Sequence, residues 1–414
     1  MKEPLLVMGI DMGTNGVRLA VINKSKVLIH SAEMVYPTGL STWEDWTDCC
    51  KDLIQAIPKS IRDRLVACSI DGTSGTLLAC APTGIPLGKA LPYNICCPEQ
   101  EKALAKILPE GGNASDINSS LARALRLINQ HGPELLIRHQ SDWITGWLLE
   151  NWRWGEEGNN LRLGWDIEKK LWPPNFQSLK WRKALPSIVK SGQILAKIAP
   201  EKAKSLSLPN DLLIIAGTTD SNAAVLSAEL DKEDGLTVLG STIVIKRFVD
   251  TPIKGTGVTN HRVLNRWICG GASNTGGALL KQLFSDNDLK ELSQQINPKL
   301  ESGLKLRPMP FIGERFPIND PYLEPIMEPR PVSDSLYLHG ILEGLARIES
   351  QSWQRLIELG ARPPEKIITI GGGARNPQWR MIRERIIGFP IRTCKNWPAK
   401  GAAFIALRAL SKDA

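Results

Sequence analysis

The sequence predicts an α/β protein built from two related halves. Apolar segments rich in Val, Ile and Leu end in turns that combine glycine with a hydroxyl or a carboxylate, as at residues 5–16 and 65–75. Stretches with helical spacing lie between them, so a sheet with helices on its face emerges. The order strand, glycine-hydroxyl turn, strand that opens the chain starts again at residue 236, which sets a boundary near residues 225–235. Length agrees, since 414 residues make two to three domains at about 150 residues each.

Strands are expected at residues 5–11, 17–23 and 27–34, broken by Gly13, Gly16 and Asn23-Lys24-Ser25. Residues 43–57 have helical spacing, with Ser41 and Thr42 as candidate caps. A strand at 65–71 leads into Gly72-Thr73-Ser74-Gly75 and a further strand at 76–81. Residues 114–152 read as helical, with Leu121, Leu125 and Ile128 on one face and Trp143, Trp147 and Leu148 on another. A strand at 212–217 runs through Thr218-Thr219-Asp220 into a helix at 221–229. In the second half, strands at 236–239 and 243–248 flank Gly240-Ser241-Thr242, followed by a strand at 267–271 and a helix from 277 to 296. A long helix at 335–359, a strand at 366–370, Gly371-Gly372-Gly373, a helix near Asn376 and a last helix at 400–410 complete the chain. The Pro-rich residues 307–331 read as an ordered loop. Seven of the thirteen tryptophans fall between residues 143 and 181, where they either fill the core or offer aromatic faces to a sugar.

With 42% hydrophobic and 23% charged residues, the composition excludes a disordered chain. The net charge of +8 is scattered, with no long basic run, which suits an anionic small molecule better than nucleic acid. The eight cysteines lack C-x-x-C spacing and read as reduced core thiols. No apolar run approaches the roughly 20 residues that span a bilayer. Met1-Lys2-Glu3-Pro4 leads directly to a strand with no secretory or transit pattern, so the expected location is cytoplasmic.

Chemistry concentrates at the strand-end turns. In Asp11-Met12-Gly13-Thr14-Asn15-Gly16 a carboxylate precedes a turn whose glycines let backbone N–H groups approach phosphate oxygens. Asp11 would hold Mg²⁺ through water and Thr14 would donate to a phosphate; an ordinary hairpin turn is the plain alternative. No G-x-x-x-x-G-K-[ST] motif occurs. Comparable turns recur at Asp71-Gly72-Thr73-Ser74, Gly217-Thr218-Thr219-Asp220, Gly240-Ser241-Thr242 and Gly371-Gly372-Gly373. Ligands of such sheets gather beyond the strand ends, so these turns can share a nucleotide site. Phosphoryl transfer needs one carboxylate to organise metal and one to take a hydroxyl proton, the roles expected of Asp11 and Asp220 respectively. A helix N-cap is the alternative for Asp220.

Together, Ile10-Asp11-Met12-Gly13-Thr14, Gly217-Thr218-Thr219-Asp220, Leu239-Gly240-Ser241-Thr242 and Gly371-Gly372-Gly373-Ala374-Arg375-Asn376 resemble the FGGY carbohydrate kinases of the actin, hexokinase and heat-shock-chaperone ATPase superfamily. The resemblance implies two actin-like (ribonuclease H-like) ATPase domains with an interdomain cleft: residues 1–228, residues 229–397, and a helix at 398–414 packing back on the first domain. It also implies ATP and Mg²⁺. Gly13 and Thr14 would face the ATP phosphates, Asp11 would lie near the metal and the transferred group, and Asp220 would be the general base. Asp11, Ser74 and Asp220 would line the sugar pocket. Gly240, Ser241 and Thr242 would close on the phosphates, and Gly372, Asn376 and Trp379 would hold the adenosine portion. Asp142, at a helix start, is read as structural.

Within the family, Ile70-Asp71-Gly72-Thr73-Ser74-Gly75-Thr76, Gly271-Ala272-Ser273-Asn274 and Gly313-Glu314-Arg315-Phe316-Pro317 are most similar to the short cyanobacterial and plant plastid members described as D-ribulose kinases. Ordinary bacterial xylulose kinases carry Gln-Met-His-Gly where this chain has Thr73-Ser74-Gly75-Thr76. The implied reaction is ATP-dependent phosphorylation of D-ribulose to D-ribulose 5-phosphate, by a monomer or homodimer with no nucleic-acid or membrane partner. A D-xylulose or broader ketopentose or polyol kinase is the alternative. A nucleotide-driven switch of the actin kind, without a sugar, and a non-catalytic sugar sensor are the readings from other classes.

Overall fold

The computed structural model describes residues 5–109, 112 and 114–411; the opening Met1-Lys2-Glu3-Pro4 lies outside the described residues. Two compact units form. One comprises Met1–Ser227, Arg262–Asn265 and Trp397–Ala414, the other Ala228–His261 and Arg266–Asn396.

The first unit begins with β1 (Leu6–Met12), β2 (Gly16–Asn23), β3 (Leu28–Val35), α1 (Trp43–Ala56), the single turn α2 (Lys59–Arg62), β4 (Leu65–Gly72) and β5 (Leu77–Cys80). It continues with α3 (Glu101–Ile107), α4 (Ser120–His131), β6 (Leu136–His139), α5 (Gln140–Leu149), β7 (Trp154–Glu156), β8 (Ser187–Val189), β9 (Ile194–Lys197), α6 (Pro200–Leu206), β10 (Leu213–Thr219) and α7 (Asp220–Ser227). Its main sheet has the order β3-β2-β1-β4-β10-β9. The β1–β2 and β2–β3 pairs are antiparallel, whereas β4 runs parallel to both β1 and β10. Parallel central strands are buried on both faces, which is why β1 reads as an unbroken apolar run to Asp11. Met8, Ile10, Trp46, Ile54 and Ile70 belong to the core of this unit.

In the second unit, β11 (Gly235–Leu239), β12 (Ile243–Val249), β13 (Val258–Val263, whose last two residues count with the first unit) and β14 (Arg266–Ala272) precede α8 (Gly277–Leu283), α9 (Asp286–Gln294) and α10 (Asp334–Glu358). Then come β15 (Ile367–Ile370), α11 (Pro377–Ile387) and β16 (Ile391–Thr393). The sheet order is β13-β14-β12-β11-β15-β16, again a meander beside a parallel pair, β11 with β15. The hairpin β11–β12 repeats the hairpin β1–β2, so the returning strand-turn-strand pattern of the sequence is a returning piece of structure.

The last helix, α12 (Pro398–Ala409), belongs to the first unit, where it lies against β1 and α7. The contact is backbone on backbone. A Cβ on Gly9 would stand 2.1 Å from the Ala399 carbonyl oxygen, and one on Gly401 would stand 1.9 Å from that of Ala223. Only glycine permits so close an approach.

Two expected helices are broken. Residues 114–152 form α4 and α5 with strand β6 between them, because Gly132 takes φ +85° and Pro133 cannot continue the helix. Residues 277–296 split into α8 and α9 at Ser285, which starts a new helix through a capping box with Asp288. Of the clustered tryptophans, Trp143, Trp172 and Trp181 are core residues, and Trp143 meets Trp43 and Trp46 edge-on at 5.8 and 6.1 Å. Trp147, Trp152, Trp154 and Trp165 are half-buried. All eight cysteines are free thiols, and burial pushes Cys68 up to about 12. No helix among the described residues is long and apolar enough to cross a membrane.

Candidate active site

In the first unit, three strand ends bring three carboxylates together. Asp11 is the penultimate residue of β1, Asp71 stands opposite it on the parallel β4, and Thr218 of β10 stands opposite Asp71 on the other side. Two residues after Thr218, Asp220 opens α7. That helix is capped by Thr219, whose Oγ1 accepts from the Asn222 N–H at 3.3 Å, so capping falls to the neighbour of Asp220. Asp220 Oδ1 accepts from the Ser221 N–H at 2.6 Å.

Asp11 and Asp71 are 1% and 0% exposed. Asp11 Oδ2 accepts from Arg18 Nη1 at 3.3 Å, but Asp11 Oδ1 and both Asp71 oxygens meet no donor of the chain. Burial raises the Asp11 carboxyl above its ordinary value, against the opposing pull of Asp71 and Arg18. Asp71 is raised further, first by burial and then by the negative charges of Asp11 and Asp220. Two such groups side by side resist joint ionisation. Asp71 carries no expected role from the sequence, although its apolar strand running into Asp and Gly gives the same signal that singles out Asp11. Arg18 was missed altogether. It reaches Asp11 while its Nε donates to Glu33 Oε2 at 3.2 Å and its guanidinium lies 5.9 Å from the Trp397 ring.

The turn between β1 and β2 is closed by Gly13 N–H donating to the Gly16 carbonyl at 2.9 Å, and it presents Thr14 as an exposed residue. In the β4–β5 turn Ser74 is the one residue of Asp71 to Thr76 that is not buried. Asp142, in the first turn of α5, accepts from the Glu156 N–H at 3.0 Å and from Asn160 Nδ2 at 3.3 Å, tying the helix to the following loop.

The second unit holds its own turns. Gly240 N–H donates to the Thr242 carbonyl at 3.2 Å, and the carbonyls of Gly240 and Ser241 accept from Gly277 and Ala278 at the start of α8. Ser241 is exposed and Thr242 half-buried. After β15, Gly371 turns with φ +95°, where a Cβ would stand 2.5 Å from the Leu239 carbonyl oxygen, so β11 and the glycine turn are pressed together. Gly372 is exposed beyond it. Asn376 caps α11, its Oδ1 accepting from the Trp379 N–H at 2.9 Å and its Nδ2 donating to Ser293 Oγ at 2.8 Å. Trp379 corrects the expectation that it offers a face to adenosine. It is 1% exposed and packs beneath Gly373, whose Cβ would meet the ring at 2.5 Å. A ring sealed in the core shapes the glycine turn from below.

The donor set of the first unit fits a hard divalent cation. Carboxylate oxygens without a donor gather at Asp11 and Asp71. No group of three or more His, Cys, Asp or Glu among the described residues could hold a metal ion. Mg²⁺ does not need one, since it keeps several waters and takes one or two carboxylates together with substrate phosphates.

No family model matches the chain. The xylulose kinase of Lactococcus lactis is 24% identical over 439 residues, covering 97% of this chain and 87% of the relative. Among solved structures, xylulose kinase from Rhodospirillum rubrum superposes with a TM-score of 0.84 at 18% identity, covering 99% of this chain and 91% of the other. Plasmodium falciparum glycerol kinase with ADP gives 0.81 at 16% identity, covering 98% and 90%. Along its whole length the chain is similar to xylulose kinases, and it has the two-domain actin-like ATPase fold of these sugar-kinase structures.

Proposed function

We propose that the protein is an ATP-dependent sugar kinase whose acceptor is a ketopentose, D-ribulose first. The observation that carries this reading is the meeting of Asp11, Asp71 and the Asp220 helix start at adjacent strand ends, beside the half-buried Ser74. Phosphoryl transfer asks a protein for alignment and charge neutralisation more than for covalent chemistry. Asp220 takes the proton of the acceptor hydroxyl as its oxygen attacks the γ-phosphorus, the bond from phosphorus to the bridging oxygen breaks, and ADP leaves. Gly13 and Thr14 offer N–H and O–H donors to phosphate oxygens. Asp11 and Ser74 orient the sugar, and Gly240, Ser241 and Thr242 of the second unit receive phosphate oxygens. Gly372 and Asn376 border the adenosine portion, where Asn376 acts by fixing the start of α11. Mg²⁺, when bound beside Asp11 through water, neutralises charge on the transferred phosphoryl oxygens.

D-xylulose is the second reading, favoured by relatives named xylulose kinase. D-ribulose leads because Thr73-Ser74-Gly75-Thr76 stands where ordinary bacterial xylulose kinases carry Gln-Met-His-Gly, so the pocket lacks those larger side chains. Mass spectrometry of reactions with Mg-ATP and D-ribulose, D-xylulose, L-ribulose, glycerol or no sugar tests it. A pentose monophosphate formed fastest from D-ribulose supports the reading, and a faster D-xylulose reaction moves the protein to the alternative. ATP hydrolysis that no sugar accelerates would leave the nucleotide-driven switch.

A further inference from the structure

One buried hydrogen-bond chain joins the turn proposed to hold phosphate to the turn proposed to hold sugar, and neither of its central residues belongs to the site described above. Tyr36, just beyond β3, donates its backbone N–H to the Asn15 carbonyl at 2.9 Å, inside the Gly13–Gly16 turn. Its phenol lies deep in the unit, 5% exposed, and accepts from Gln140 Nε2 at 3.2 Å. Gln140 is 0% exposed at the start of α5, and its Oε1 accepts both the Thr73 N–H at 3.2 Å and the Thr73 hydroxyl at 2.7 Å. Thr73 Oγ1 lies 2.8 Å from Thr76 Oγ1, and the Thr73 N–H also reaches the Met12 carbonyl at 3.2 Å. The bonds therefore run from Asn15 through Tyr36 and Gln140 to the residue next to Ser74. Burial, followed by the charges of Cys50 and Asp11, raises the Tyr36 phenol, so the ring keeps its proton beside Asp11.

Thr73 is held rigidly, since its hydroxyl and amide share one side-chain acceptor in a site sealed from bulk solvent. A shift of the phosphate turn is then felt at Ser74 through one side-chain link. We propose that Tyr36 and Gln140 are positioning residues that couple nucleotide binding to sugar binding, so that each ligand presets the turn used by the other. This rests on the kinase reading. Coupling of this kind is reciprocal, and factors of about 5–150 are usual.

Calorimetry of the full chain tests it, using D-ribulose and D-xylulose as probes, each with and without saturating Mg-ADP. The wild type should bind the preferred ketopentose at least about fivefold more tightly with ADP present. Tyr36→Phe removes one oxygen and should cut that factor by roughly threefold to tenfold, the worth of one hydrogen bond. The affinity for ADP alone should stay within about twofold, whereas a merely structural role would weaken both ligands alike. Adding Gln140→Leu to Tyr36→Phe should cost no further coupling, because both act through the same link. In the wild type, ADP alone should slow amide hydrogen exchange at Thr73, a readout that needs no variant. A coupling factor of one in the wild type, undiminished coupling in Tyr36→Phe, or Thr73 exchange indifferent to ADP overturns the bridge while leaving the kinase reading in place. Failure of both ketopentoses to bind a chain that binds ADP overturns the sugar reading and the bridge together.

Discussion

Asp11 and Asp71 face each other across the parallel pair β1–β4, both sealed from solvent, with Arg18 as the cation that reaches Asp11. Burial, with Asp11 and Asp220 nearby, lifts Asp71 well above its ordinary 3.8. The folded protein thus holds that proton more tightly than the unfolded chain, and stability falls as pH rises above 3.8. Asp71→Asn removes the loss. Its Tm should exceed that of the wild type at pH 7, with the difference shrinking toward zero well below pH 3.8, where both states are protonated. Thermal melts across that range check the sign.

The close seat of α12 on β1 predicts a large penalty for one methyl group. Gly9→Ala drives a Cβ into the Ala399 carbonyl and should destabilise the chain by about 3 kcal/mol or more, measured by urea unfolding. Ala at the exposed Gly372, where a Cβ meets nothing within 4 Å, should cost far less.

In the second unit, Arg383 and Glu349 form a fully buried pair, with Nε to Oε2 at 2.6 Å and Nη2 to Oε1 at 2.7 Å, and Thr237 donates to the same carboxylate. Arg383→Met leaves Glu349 buried without its cation and should cost about 3–5 kcal/mol. Replacing both with apolar residues should cost much less. Denaturant titration of the single and double variants separates the two.

Trp379 supports the Gly371–Gly373 turn from inside, so Trp379→Phe should lower Tm while leaving ADP affinity within about twofold, because no direct contact is lost. A collapse of ADP affinity at unchanged Tm, read by calorimetry, would restore the ring to the binding surface.

Much of this arrangement is legible in the sequence, and the rest is hidden for physical reasons. Strand ends announce themselves because apolar runs must stop where Asp and Gly begin, which located Asp11, Asp220 and the turns at Ser74, Gly240 and Gly371. The repeat of β1–β2 by β11–β12 was visible in the same grammar. The break in residues 114–152 was signalled by Gly132-Pro133 but outweighed by the helical spacing on either side. Trp379 has an aromatic side chain in a glycine-rich segment, and sequence cannot say on which side of the turn it lies. Tyr36, Arg18 and Gln140 matter through contacts made across the fold, Gln140 to Tyr36 being 104 residues apart, and no local spacing encodes those.

The most direct test of the central claim is replacement of Asp220 by Ala, with ketopentose-stimulated ADP release and ADP affinity measured side by side. Sugar-dependent release should disappear in this variant while ADP binds as in the wild type. Sustained sugar phosphorylation in that variant would contradict the assignment of Asp220 as the base, and with it the mechanism proposed for this site.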